Sequence, residues 1–174
     1  MLDRAKVALF DRLGARLAMP GRLPAVPLLD LYAGAGTLGI ECLSRGATWA
    51  CFVENEAAAL RALRENLAAL ASESEYRVVP ADAATAAIHS PPHGRYGLIF
   101  LDPPYRMTEQ FGPGDPVVAQ IESLGTHEAV ADDALLIFRQ DAGAEPLPAL
   151  RGWRPVDRHR VGTMALTILA RARA

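Results

Sequence analysis

The chain is poor in several things, and each shortage narrows what it can be. Only two cysteines occur in its 174 residues, Cys42 and Cys51. Both sit in apolar surroundings, so buried thiols are expected in place of a disulfide or a metal pair. No histidine–cysteine cluster has the spacing of a zinc site, and no metal centre is expected. No apolar run reaches the ~18 residues of a membrane-crossing helix. Residues 1–16 alternate charged with apolar side chains and lack the core of a signal peptide. A cytoplasmic protein with no membrane partner is expected. Lysine is nearly missing: 17 of the 18 basic residues are arginine, a skew of little functional weight. There is no internal repeat.

A bulk excess of positive charge is missing too, for the formal net charge is −2. Its distribution is uneven. Residues 1–24 carry five basic and two acidic side chains, and residues 151–174 carry six and one. The stretch between them holds seven basic and 17 acidic groups. Basic ends around an acidic body fit a polyanion footprint or two solvated surfaces equally well.

What is present is a core: 51% of the residues are hydrophobic, enough for one folded domain over 1–174. Leu2, Leu9, Phe10, Leu13 and Leu17 recur at helical spacing, with Arg4, Lys6, Arg12 and Arg16 between them. Apolar runs at 28–32, 48–53, 77–79, 96–102 and 134–140 read as strands. Helices are expected over 38–45, 56–70 and 117–124, with a weak one from Asp82 to Ile88. Segment 106–116, with Gly112-Pro113-Gly114, is expected to be a mobile loop. Residues 153–160 and 163–170 read as a hairpin turning at Gly162. The alternation predicts an α/β fold: a doubly wound, mostly parallel seven-stranded sheet ending in an antiparallel hairpin.

The stretch Leu98-Ile99-Phe100-Leu101-Asp102-Pro103-Pro104-Tyr105 carries the chemistry. Its apolar half reads as a strand buried on both faces, which the prolines end because they have no N–H for the ladder. A carboxylate, a rigid carbonyl and a flat ring thus arrive together at the carboxyl end of a central strand, where open α/β sheets bind ligands. Asp102 and the Pro103 carbonyl can each accept one N–H of an exocyclic amino group, and Tyr105 can stack on its ring.

The other strand ends carry acids and glycines. Gly34-x-Gly36-x-x-Gly39 follows one strand and opens a helix, as dinucleotide-binding turns do. Gly34 and Gly36 would let a ligand approach the backbone, and Gly39 would allow close packing. Asp30, just before the turn, suits an ammonium group; it can also brace the loop. Glu54 ends the next strand, where an acid can take both hydroxyls of a ribose. Asp82 can accept from an adenine amino group while the Ala83 N–H meets a ring nitrogen, or it can cap the helix expected after it.

With three acids, the glycine turn and DPPY at 102–105, the chain resembles class I S-adenosylmethionine-dependent methyltransferases that act on amino groups. DRAKVALF at 3–10, LLDLYAGAGTLGIECLSRGA at 28–47, FVE at 52–54 and GTMALTILAR at 162–171 are similar to the 16S ribosomal RNA guanine-N2 methyltransferase family along nearly the whole chain. That family usually carries a basic β-hairpin segment ahead of its first helix, and here the matching stretch opens at Asp3. The resemblance implies S-adenosylmethionine as cofactor and ribosomal RNA, or a small-subunit particle, as partner, with the enzyme a monomer. It implies that Asp30, Tyr32, Gly34 and Gly36 hold the methionine end, Glu54 and Asn55 the ribose side, and Asp82 with Ala83 the adenine. Asp102, Pro103, Pro104 and Tyr105 would present the target amino group.

Other readings stay open at this point. A DNA adenine or small-molecule amino methyltransferase shares DPPY. A cofactor-binding relic acting as an interaction partner, or a nicotinamide oxidoreductase, shares the glycine pattern. His89 and His93 are expected at the surface, and Trp49 and Trp153 in packing. Arg106 can meet a phosphate or solvent. Arg151, Arg154, Arg158 and Arg160 could line one face of a strand.

Overall fold

The computed structural model describes residues 3–70, 72–109, 111–112 and 114–172. Eleven regular elements follow one another: α1 (Asp3–Arg16), β1 (Pro27–Leu31), α2 (Thr37–Ser44), β2 (Trp49–Glu54), α3 (Ala57–Leu70), β3 (Tyr76–Pro80), β4 (Tyr96–Leu101), α4 (Pro116–Thr126), β5 (Val130–Asp141), β6 (Trp153–Val161) and β7 (Met164–Arg171). The strands form one seven-stranded sheet in the order β3-β2-β1-β4-β5-β7-β6. β1 to β5 pair in parallel, and β7 runs antiparallel between β5 and β6. This is the doubly wound sheet with a terminal hairpin that the sequence predicts.

Apolar side chains cover both faces, which is why β4 reads as an unbroken apolar run and β1 as one broken only by Asp30. On one face Leu28, Phe52, Phe100 and Ile137 meet Leu9, Phe10 and Leu13 of α1, Leu38 and Ile40 of α2, and Leu63 and Leu67 of α3. On the other, Leu29, Val53, Ile99 and Phe138 meet Val117, Ile121 and Leu124 of α4. Trp153 is buried there, and its indole N–H donates to the Ile121 carbonyl at 2.7 Å. Cys42 and Cys51 are free, buried thiols, as expected, and burial pushes both up from the ordinary thiol value. His89 and His93 are exposed. Among the described residues no helix is long and apolar enough to cross a membrane.

Three expectations need correction. The helix expected from Asp82 to Ile88 is a single turn. The Asp82 side chain takes the Ala84 N–H and its carbonyl takes those of Thr85 and Ala86. Gln120 of α4 then claims the Ala83 carbonyl that a continuing helix would use. Second, the loop expected over 106–116 is irregular where it is described but is tied down at both ends: Tyr105–Met107 form a 3-10 turn, Thr108 is fully buried, and Asp115 caps α4 with Pro116 at its start. Gln110 and Pro113 lie outside the described residues. Third, the arginines of β6 do not share a face. A bulge between Pro155 and Asp157 shifts the register, so Arg154 sits opposite Ala170 while Arg158 and Arg160 sit opposite Thr167 and Ala165. One extra residue inverts the alternation beyond it.

Candidate active site

The sheet order reverses between β1 and β4, and a crevice opens at the carboxyl ends of strands around such a point. The turn after β1 is built from unusual backbone. Tyr32, Gly34 and Gly36 have φ of 60°, 57° and 76°, a left-handed region that costs a non-glycine residue ~1–2 kcal/mol. Three side chains from three elements fix this turn. Asp30 accepts the Gly39 N–H at 3.0 Å, Glu54 accepts the Gly34 N–H at 2.8 Å, and Asn66 of α3 donates to the Ala35 carbonyl at 3.0 Å.

The two glycines of the turn do different work. A Cβ on Gly34 would meet nothing within 4 Å, so the space over its backbone is open. A Cβ on Gly36 would lie 2.3 Å from Leu63 Cδ1, and one on Gly39 2.3 Å from Phe52 Cε1. Gly39 therefore packs closely, as expected, and a side chain at Gly36 would run into the core. Asp30 is 1% exposed. Burial pushes its carboxyl well above the ordinary value, the Gly39 N–H opposes this, and the nearby Asp102 and Glu54 add to it. Asp30 is thus enclosed and braces the turn through the Gly39 N–H.

Glu54, half-buried at the end of β2, also accepts the N–H groups of Asn55 and Glu56, each at 2.8 Å. Asn55 is exposed. Tyr32 is half-buried, its hydroxyl 3.4 Å from Gln120 Oε1. Burial, reinforced by the Asp82 charge, pushes its phenol up to about 12. Asp82 is exposed and Ala83 buried, and the Ala83 N–H donates to no described residue. Asp82 braces its own turn through the Ala84 N–H.

The Asp102 N–H donates across to the Leu31 carbonyl at 3.3 Å, which brings the end of β4 against the entrance of the glycine turn. Pro103 is buried, and its carbonyl accepts from no described residue. Pro104 is exposed and leads into the 3-10 turn, and Tyr105 is 41% exposed, unusual for a large ring. DPPY thus leaves β4 at the carboxyl edge of the sheet, with Asp102 half-buried and Tyr105 exposed. The sequence reading missed a partner: Arg139, near the end of β5, donates from Nε to Asp102 Oδ1. Its Nη1 lies 3.1 Å from the Tyr105 hydroxyl and its guanidinium carbon 5.0 Å from the ring centroid. Burial pushes the Asp102 carboxyl up and Arg139 draws it back, with burial prevailing. A signal existed, because an arginine closing the apolar run ALLIF needs an acceptor nearby. Asn66 and Gln120 gave no signal, being amides on helices with no distinguishing pattern.

The model of the family described as "Conserved hypothetical protein 95" matches residues 1–170. The chain is 31% identical over 119 residues to the "Putative rRNA methyltransferase YlbH" of Bacillus subtilis, covering 67% of this chain and 60% of that protein. It is 34% identical over 124 residues to the "Ribosomal RNA small subunit methyltransferase D" of Escherichia coli, covering 70% and 57%. The chain thus spans about 60% of the length of the curated relatives it matches. Among solved structures, the "Putative methyltransferase yhhF from Escherichia coli" superposes with a TM-score of 0.74 at 28% identity, covering 98% of this chain and 87% of that one.

Proposed function

This chain belongs to the family described as "Conserved hypothetical protein 95", and from that premise we propose that it methylates the exocyclic amino group of a guanine in small-subunit ribosomal RNA. The observation that supports the reading is the Asp102 N–H bound to the carbonyl of Leu31, the strand end from which the glycine turn leaves. The names of the relatives support the RNA substrate. Guanine N2 is the amino group that the resemblance of 28–47 and 162–171 implies.

S-adenosylmethionine supplies the methyl group when bound. The residues present fit it: the open space over Gly34 is a cradle that a side chain would fill. Glu54 stands at the end of β2 to take the ribose hydroxyls, and the Ala83 N–H, without a partner among the described residues, can meet the adenine edge with Asp82. Tyr32 and Asn55 border the same strand ends. Asp30 and Gly36 hold the turn in shape from below.

An exocyclic amino nitrogen is a weak nucleophile because its lone pair is delocalised into the ring. Asp102 and the Pro103 carbonyl, accepting its two hydrogens, turn the lone pair out of the ring plane. Tyr105 stacks on the unpaired base. Positive charge develops on the nitrogen, so the anionic Asp102 helps most at the transition state. Asp102 need not be a strong base, since the N–H becomes acidic as the new bond forms.

The test is transfer of labelled methyl groups to naked small-subunit RNA, to assembled small-subunit particles and to DNA. Label on guanine N2 of either RNA substrate, lowered about 10²-fold or more by Asp102→Ala, is expected. Transfer only to DNA, or an undiminished Asp102→Ala, overturns the reading.

A further inference from the structure

We infer that Arg139 is the positioning residue for this reaction, holding the Asp102 carboxylate turned toward the amino group and locked to the Tyr105 ring. This role rests on the amino-group methylation proposed above for its purpose, and on the side-chain geometry for its existence. The parallel register pairs Phe100 with Ile137 and Leu101 with Phe138, so the next step along both strands brings Asp102 and Arg139 together. The contact is built into the sheet and does not depend on a flexible loop.

Arg139 makes three contacts at once. Nε takes Asp102 Oδ1, and Nη1 reaches both the Tyr105 hydroxyl and Met164 Sδ, the latter at 3.4 Å. Only 18% of its side chain and 17% of that of Asp102 is exposed. A planar guanidinium can grip a carboxylate and a ring hydroxyl in fixed relative orientation, which a lysine ammonium cannot. With Oδ1 engaged, Asp102 Oδ2 has no partner among the described residues and is left for the substrate N–H. Burial without a counter-charge raises the pKa of a carboxyl and favours its protonated form. A protonated carboxyl is a poorer acceptor for the amino hydrogen. Arg139 thus opposes the burial that raises Asp102.

The experiment compares wild type, Arg139→Gln and Arg139→Lys by two readouts. The first is titration of the Asp102 carboxyl carbon by NMR in aspartate-labelled protein, assigned with Asp102→Asn. The second is the pH profile of kcat on the RNA substrate. Arg139→Gln is expected to move the Asp102 midpoint up by about 1–3 units and the acidic limb of kcat with it. Arg139→Lys is expected to keep the midpoint near that of wild type while KM for RNA rises, because the Tyr105 link is lost. An Asp102 midpoint unmoved in folded Arg139→Gln overturns the role of Arg139, whatever the activity. A wild type that methylates nothing overturns the proposed function, while the titration still decides what Arg139 does to Asp102.

Discussion

Asp30 and Gly39 are joined by a buried hydrogen bond, carboxylate Oδ2 to amide N–H at 3.0 Å, beneath the turn that opens the crevice. The acid is enclosed, and Asp102 and Glu54 add like charge nearby. A carboxyl whose folded pKa is raised makes folding take up a proton once the unfolded group has ionised. Stability then falls as pH rises above the ordinary value of 3.8, until the folded value is passed. Asn can still accept the Gly39 N–H and carries no charge. Asp30→Asn is therefore expected to remove this downward slope and to be the more stable protein at neutral pH, by an amount within the ~0.5–3 kcal/mol usual for single substitutions. Urea unfolding of both proteins between pH 4 and 8 checks it. Parallel curves for the two would show that Asp30 pays no burial cost.

The glycines of the turn separate packing from access. Gly39→Ala drives a methyl into the buried Phe52 ring, and overpacking of this kind costs ~1–3 kcal/mol. Gly34→Ala meets no atom, so its cost is the ~1–2 kcal/mol of a left-handed alanine, but its methyl enters the space over the turn. Thermal unfolding should rank Gly39→Ala as destabilised with no dependence on ligand. Gly34→Ala should lose cofactor affinity beyond what its stability explains. Equal cofactor affinity for Gly34→Ala and wild type would remove the open backbone from the site.

Much of this was legible in the residues, for stated reasons. Strands buried on both faces announce themselves as apolar runs, and prolines and glycines mark where they end, so the sheet and the carboxyl edge could be read directly. Side-chain direction could not. Gly34 and Gly36 are two residues apart in one motif, yet a Cβ on one would meet open space and on the other Leu63, because left-handed residues redirect the chain between them. The bulge in β6 had one mark, Pro155 between Arg154 and Arg158, but a proline suits an edge strand as well as a bulge and does not by itself move the arginines to different faces. The helix after Asp82 failed because a tertiary contact from Gln120 outweighs the helix propensity of an alanine-rich stretch. Arg139 lies 37 residues from Asp102, and only the register of neighbouring strands joins them.

Glu54 accepts three backbone N–H groups, of Gly34, Asn55 and Glu56. It therefore shapes the turn as well as standing ready for a ribose. Glu54→Ala is expected to weaken S-adenosylmethionine binding about 10-fold or more, the scale of a lost hydrogen bond to a charged group. Calorimetric titration measures it, and an unchanged Kd would break the ribose assignment.

Far from the crevice, Arg12 of α1 grips Asp157 of β6 with both ends of its guanidinium, Nε to Oδ2 at 2.7 Å and Nη2 to Oδ1 at 2.6 Å. This bond holds the Asp157 carboxyl below its ordinary value of 3.8. In that window the unfolded chain binds more protons than the folded one, so stability rises with pH. The contribution is complete above the ordinary value and disappears as pH falls through the lowered one. Both side chains are partly exposed, at 38% and 25%, so solvent screening limits the pair to about 1 kcal/mol or less. Arg12→Ala should accordingly cost up to about 1 kcal/mol at pH 7, and that difference should close toward pH 2. Added salt should shrink it at neutral pH. Urea unfolding across this range, with and without salt, decides the matter: a difference that persists at pH 2 would mean that Arg12 stabilises α1 through the packing of its aliphatic stem and not through Asp157.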